Sequence, residues 1–80
     1  MKTKAFNWGR STMVSDRAYW MGFYLEAWED GRWRVTFADE RGHPLVDHTK
    51  QAIGTNISEA KQRAQAAAMI QQQLAQMTKP

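Results

Sequence analysis

Every second residue from Tyr19 to Ala27 is apolar: Tyr19, Met21, Phe23, Leu25 and Ala27. That is the period of a half-buried strand. The alternate positions, Trp20, Gly22, Tyr24, Glu26 and Trp28, make its other face. After Glu29-Asp30-Gly31 a second alternating run sets Trp33, Val35 and Phe37 on one face and Arg32, Arg34 and Thr36 on the other. Asp-Gly between two such runs predicts a hairpin. The faces select its turn. A two-residue Asp30-Gly31 loop would set Trp28 opposite Trp33 and Glu26 opposite Val35, mixing the apolar and polar sets. A three-residue loop sets Ala27 opposite Trp33, Leu25 opposite Val35 and Phe23 opposite Phe37. It also brings Glu26 to Arg34 and Trp28 to Arg32, an ion pair and a cation–π pair. This second form is a type I turn closed by a G1 bulge, with Gly31 at the left-handed position. It is the expected turn, because a slip of one residue would flip the whole apolar set.

The flanking segments read less regularly. Lys4-Ala5-Phe6-Asn7-Trp8 alternates weakly, as an edge strand does, and Gly9 to Asp16 reads as a loop. Asp39-Glu40-Arg41-Gly42 is the next turn, and Pro44 to about Thr49 a short further strand, Pro suiting a strand start or an edge. The pattern leaves open whether Leu45 or Val46 faces the core. Lys50 to Thr55 reads as a loop. Asn56 is a good N-cap, Glu59 stands where it can reach back as in a capping box, and nothing from Ile57 to Met77 breaks a helix. At 1.5 Å per residue that helix spans about 31 Å. Ala60, Ala64, Ala67 and Ala68 give it a smooth first half; Ile70, Leu74 and Met77 continue an apolar stripe rotated to one side. A strand of five or six residues covers only ~17–20 Å, so the last turns should overhang the sheet. The expected fold is α+β: a three- or four-stranded antiparallel meander with one long C-terminal helix packed on one face. It forms a single domain over 1–80, with a poorly patterned segment 1–17, the meander 18–50 and the helix 56–77.

Composition changes this picture little. Leu, Ile, Val and Phe number three each among 80 residues, so the four Trp and two Tyr must supply much of the core. A chain this short buries roughly 60% of the surface its unfolded form exposes, and its core is thin. There is no cysteine, hence no disulfide and no thiolate ligand or nucleophile. The basic start Met1-Lys2-Thr3-Lys4 is not followed by the apolar stretch of a secretory signal. The most apolar segment, Ala18 to Trp28, contains Gly22 and Glu26 and falls well short of the roughly 20 residues that span a bilayer. A cytoplasmic protein with no membrane partner is expected. Eleven Lys/Arg against eight Asp/Glu leave a net charge of +3, which permits contact with nucleic acid without requiring it.

No motif carries a reaction. His43 and His48 are the only histidines, on opposite faces if their segment is extended, and Asp47 beside His48 completes no zinc set. Ser11, Ser15 and Ser58 sit in turn or cap contexts, and the five glycines form no phosphate loop. We expect no enzyme, no cofactor and no metal. The binding candidate is the second face of the hairpin. Trp20, Tyr24 and Trp28 recur every four residues along it, flanked by Arg32 and Arg34, and aromatic and Arg side chains dominate binding hot spots. Three readings of that face stay open: a surface for a partner, a homodimer contact, or an inner core closed over by Phe6 and Trp8. Secondary candidates are the acidic tips Glu29-Asp30 and Asp39-Glu40, which either solvate their turns or pair with a basic partner. Lys61, Arg63 and the off-stripe Met69 complete the set, while Gln71, Gln72, Gln73 and Gln76 read as a solvated helix face.

Two resemblances extend the reading. Strands followed by a helix bearing Ala60-Lys61-Gln62-Arg63-Ala64 and then Ala68-Met69 resemble the C-terminal two-thirds of a double-stranded-RNA-binding domain, over roughly Tyr19 to Ile70. Ile57 and Ser58 stand where that family has its basic pair, and residues 1–17 offer no counterpart to its first helix. The resemblance implies a fold, and a nucleic-acid-binding accessory role resting on Arg32, Arg34, Lys61 and Arg63. A short cysteine-free chain with an aromatic sheet and an Asn-Ile-Ser-Glu-Ala-Lys helix start is also similar in kind to small phage-encoded anti-CRISPR inhibitors of type I surveillance complexes. That resemblance implies a non-enzymatic protein that binds a Cas subunit in the host cytoplasm and blocks target DNA access. It transfers no site residue. The protein inhibitor is the leading expectation, the nucleic-acid accessory the alternative, and a dimerising assembly protein the third.

Overall fold

The computed structural model describes residues 5–50 and 56–77. Five strands, β1 (Trp8–Thr12), β2 (Ser15–Trp20), β3 (Phe23–Trp28), β4 (Trp33–Phe37) and β5 (Pro44–His48), precede a helix α1 (Ile57–Met77). The strands pair in sequence order as an antiparallel meander, and the helix crosses one face. The fold is α+β, as the pattern predicts. The sheet gains its extra width at the N-terminal end. Gly9 to Thr12 lie in edge strand β1, and Ser15 and Asp16 begin β2, where a loop was expected.

The run from Tyr19 to Trp28 is not one strand. Met21 and Gly22 have φ of 51° and 84°, and Trp20 pairs with Phe23 across them, so they are the two central residues of a hairpin turn of the I′ kind. A two-residue turn reverses the odd–even assignment of faces. Tyr19 and Met21, expected in the core, are 51% and 49% exposed, while Ala18 and Trp20 are buried. Beyond that turn the expectation holds. Phe23 pairs with Phe37, Leu25 with Val35, Glu26 with Arg34 and Ala27 with Trp33. The Gly31 N–H donates to the Trp28 carbonyl at 3.0 Å, and the Trp28 N–H to the Arg32 carbonyl at 2.8 Å. With Gly31 at φ 94°, this is the three-residue turn and its G1 bulge. In β5 the register steps from Val35↔Val46 to Thr36↔Pro44, so Leu45 is the extra residue of an irregularity and both Leu45 and Val46 lie half-buried against the core.

The core lies between sheet and helix. Ala18, Trp20, Phe23, Leu25, Ala27, Trp33 and Val35 face Ala60, Ala64 and Ala68. The alanines have no side chain beyond Cβ, so the helix sits low over large aromatic rings. Phe6 stacks on Trp20 with ring centroids 4.6 Å apart, and Trp20 on Phe23 at 6.3 Å. Trp8 donates its indole N–H to Gln65 Oε1 at 2.7 Å, and Lys61 lies over the Trp8 ring while reaching Asp16 at 2.8 Å. Phe6 and Trp8 thus close the helix side of the sheet. Asn56 Oδ1 accepts the Glu59 N–H at 2.9 Å as an N-cap. The Glu59 carboxylate turns outward to Arg63 at 2.8 Å. Past Ala68 no helix residue is fully buried: Ile70, Leu74 and Met77 are exposed, while Gln72, Ala75 and Gln76 line a cleft shared with Phe23 and Phe37. No described helix is long and apolar enough to cross a membrane.

Candidate functional site: the outer sheet face

The face turned away from the helix is built by residues that alternate with the core. On β3, Phe23, Leu25 and Ala27 point to the helix, so Tyr24, Glu26 and Trp28 point away. Register adds Ser15, Arg17 and Tyr19 from β2 and Arg34 and Thr36 from β4. Trp20 does not belong to this face. Its place in the expected site is corrected by the Met21-Gly22 turn, which puts it in the core at 5% exposure. Of the open readings, an inner core closed over by Phe6 holds for Trp20, on which Phe6 stacks; it does not hold for Tyr24 and Trp28, since Phe6 and Trp8 pack on the opposite side of the sheet.

Glu26 is the centre of the outer face and is only 6% exposed. Ser11 and Ser15 hydroxyls donate to its Oε2 at 3.1 and 3.0 Å, and the Tyr24 hydroxyl to Oε1 at 3.2 Å. The Arg34 guanidinium lies 3.6 Å from Oε1. A carboxylate so enclosed needs those donors, because an unpaired buried charge is costly. Each oxygen accepts at least one hydrogen bond, so the arrangement ties β1, β2 and β3 together at this point of the face. Burial pushes the Tyr24 phenol above its ordinary value of 10.0; the Ser11 hydrogen bond opposes that shift, and the neighbouring Glu26 charge adds to it.

Around this centre, arginines lie over aromatic rings. Arg32 and Arg34 stand 5.8 and 5.7 Å from the Trp28 ring centroid, Arg41 5.2 Å from that of Tyr24, and Arg17 5.5 Å from that of Tyr19. Tyr19 and Tyr24 meet edge to face at 5.1 Å. The sequence signal for Tyr19 and Arg17 was hidden by the apparent continuity of the alternating run; Arg41 sits in a turn where no period applies. Beside Trp28 a cleft of about 200 Å³ opens between Val14, Glu29, Asp30 and Arg32. Val14, half-exposed, is its apolar wall opposite Trp28.

The structure brings Tyr24, Trp28, Arg32 and Arg34 together as expected, and separates the secondary candidates. Glu29 and Asp30 sit at the Trp28 end, where Asp30 holds Arg32 at 2.7 Å and that hydrogen bond lowers the Asp30 carboxyl below its ordinary 3.8. Asp39 and Glu40 belong to the turn after β4, at the opposite end of the sheet, and are exposed. Lys61 and Arg63 are on the helix, paired with Asp16 and Glu59, so they do not share a surface with Arg32 and Arg34. Met69 is 40% exposed on the helix. His48 stacks on Trp33 at 4.5 Å, and among the described residues no group of three or more His, Asp or Glu is placed to hold a metal ion. No protein family, curated protein or solved structure matches the chain.

Proposed function

We propose that the protein is a small non-enzymatic binding module that acts by protein–protein contact through its outer sheet face. One observation carries this reading: the helix, Phe6 and Trp8 all close the inner face, leaving an outer face of Trp28, Tyr19 and four arginines uncovered by any described element. Aromatic and arginine side chains are the residues that anchor protein interfaces, and a cleft beside a half-buried Trp is a suitable seat for a partner side chain. The hydrogen-bonded Glu26 centre keeps that surface rigid, which lowers the entropy cost of docking.

In its most specific form the reading is an inhibitor that docks on a Cas subunit of a type I surveillance complex and blocks target DNA. What supports that form is the likeness in kind drawn from the sequence. The arginines add a constraint: such a face suits an acidic patch on the subunit and not its basic DNA channel. The nucleic-acid alternative draws support from the same arginines. It is weakened by the ring faces of Tyr24 and Trp28, which carry guanidinium groups and are not free to stack bases.

The test uses Trp28→Ala. Arg34 is unsuitable for charge reversal, because a second carboxylate beside buried Glu26 would damage the fold. Capture of a partner from nuclease-treated host lysate, and binding to a purified type I surveillance complex with its target DNA, should both weaken by about 2 kcal/mol or more in Trp28→Ala while the melting curve stays cooperative. Full-strength capture by that variant would sink the site. Binding that disappears with nuclease, and falls log-linearly with salt, would establish the nucleic-acid alternative instead.

A further inference from the structure

We infer that the Tyr19–Tyr24 end of the outer face receives a run of carboxylates, so that the protein partner presents an acidic segment of Asp or Glu there. This rests on the outer face being the docking face, and names what lies opposite one end of it. The cations of the described residues are unequally neutralised. Arg10, Arg32, Arg34, Lys61 and Arg63 each have a carboxylate of this chain within ion-pair distance, from 2.7 to 3.6 Å. Arg17 and Arg41 have none among the described residues. Their contacts are with tyrosines: Arg17 over the Tyr19 ring, and Arg41 over the Tyr24 ring with its Nη1 3.5 Å from the Tyr19 hydroxyl.

The two tyrosines touch each other, so both guanidiniums are gathered at one aromatic pair. Ring contact limits the rotamers of a guanidinium without neutralising it or occupying all five of its donors. Two positively charged forks, already positioned and short of acceptors, fit carboxylate oxygens, which take bidentate hydrogen bonds from Arg. A phosphodiester strand fits less well. To follow the face from this end to Trp28 it must pass over Glu26, whose negative charge is at the centre, and it finds no open ring on Tyr24 for a base. A protein segment can place acidic side chains at this end and an apolar side chain in the Trp28 cleft.

The experiment is fluorescence anisotropy at low and physiological salt with a labelled octaglutamate peptide, run beside octaglutamine and octathymidylate. Octaglutamate should bind the intact protein, octaglutamine should not, and Arg17→Gln/Arg41→Gln should lose at least about tenfold in affinity while the melting curve stays cooperative. The control Arg10→Gln/Arg63→Gln removes the same charge from ion-paired sites and should stay within about twofold. Absence of octaglutamate binding, an equal loss in the control, or tighter binding of octathymidylate than of octaglutamate would each overturn the inference. Trp28→Ala in the capture assay bears on the docking face alone. A lost capture there with unchanged octaglutamate binding in Arg17→Gln/Arg41→Gln would keep the docking face and reject the acidic segment.

Discussion

Strand β3 carries two interiors on its two sides. Toward the helix, Phe23, Leu25 and Ala27 meet Val35, Trp33 and the bare faces of Ala60, Ala64 and Ala68, an apolar contact held by surface removed from water. Away from the helix, Tyr24 and Glu26 are as buried as their neighbours, at 5% and 6% exposure, although no described helix or strand is stacked on them. Their burial is local: the Arg41 guanidinium lies over the Tyr24 ring, Tyr19 meets that ring edge to face, and hydroxyls close on one carboxylate. The first kind of interior tolerates substitution by size. The second depends on each donor meeting its acceptor, and it doubles as a surface. A fold with a thin core thereby keeps a sheet face ordered without covering it.

Adjacent positions on β3 provide the sharpest way to break that contrast. Leu25 is fully buried, and Leu25→Ala should cost about 2–5 kcal/mol by leaving a cavity under the helix. Urea unfolding of a chain this small should show the variant largely unfolded near physiological temperature. Glu26→Ala should cost about 1–3 kcal/mol, because Ser11, Ser15, Tyr24 and Arg34 lose their shared acceptor. Glu26→Ala with stability equal to the parent would mean that the outer network is incidental. In that event the face would be an ordinary solvated surface.

Tyr24 separates the two interiors by pH. Its folded-state phenol titrates above 10.0, with burial the main cause, whereas in the unfolded chain it titrates near that ordinary value. Between the two values the folded state holds the extra proton, so stability is fully present below pH 10 and falls as pH rises through the folded value. Difference unfolding curves of the parent and Tyr24→Phe isolate this contribution from the other groups that titrate there. The variant should lack this part of the alkaline decline, and should be less stable at neutral pH by about 1 kcal/mol for the lost hydrogen bond to Glu26. Identical alkaline slopes in the two proteins would show that Tyr24 is not held by its burial.

How much of this was legible depends on what each turn did to the alternation. The β3–β4 hairpin could be read to the residue pair, because only one loop length kept Phe23, Leu25 and Ala27 opposite Phe37, Val35 and Trp33. The β2–β3 hairpin escaped because Met21, an apolar residue in a turn, filled the odd position that the strand pattern required. Two signals were available: Gly22, and a run of ten residues from Tyr19 to Trp28 where strands average five or six. Splitting the run there moves Trp20 into the core and brings Arg17 and Tyr19 to the outer face. Strand β1 was hidden for another reason. As an edge strand of mixed exposure, it has no buried face to impose a period on Gly9 to Thr12. The helix start, by contrast, is legible in the Asn56 cap, and the unbroken run of helix formers matches a helix that continues to Met77, the last described residue.

The turn that assigns residues to the two faces also supplies the smallest effect. Met21 is the only non-Gly described residue at positive φ, 51°, at the first central position of a turn that favours Asn there. A long side chain in the left-handed region costs about 1–2 kcal/mol, and Asn recovers part of it by bonding to its own backbone. Met21 is half-exposed, so little packing is lost with it. Met21→Asn should therefore stabilise the protein by about 0.5–1 kcal/mol, read as a rise in melting temperature, with partner capture unchanged. Were residues 19 to 28 one continuous strand with Met21 in its core, the same change would bury an amide and lower the melting temperature by several degrees. The sign of a single shift thus decides which residues belong to each face. It also decides whether Trp20, or Tyr19 and Arg17, stands beside Tyr24 on the outer face.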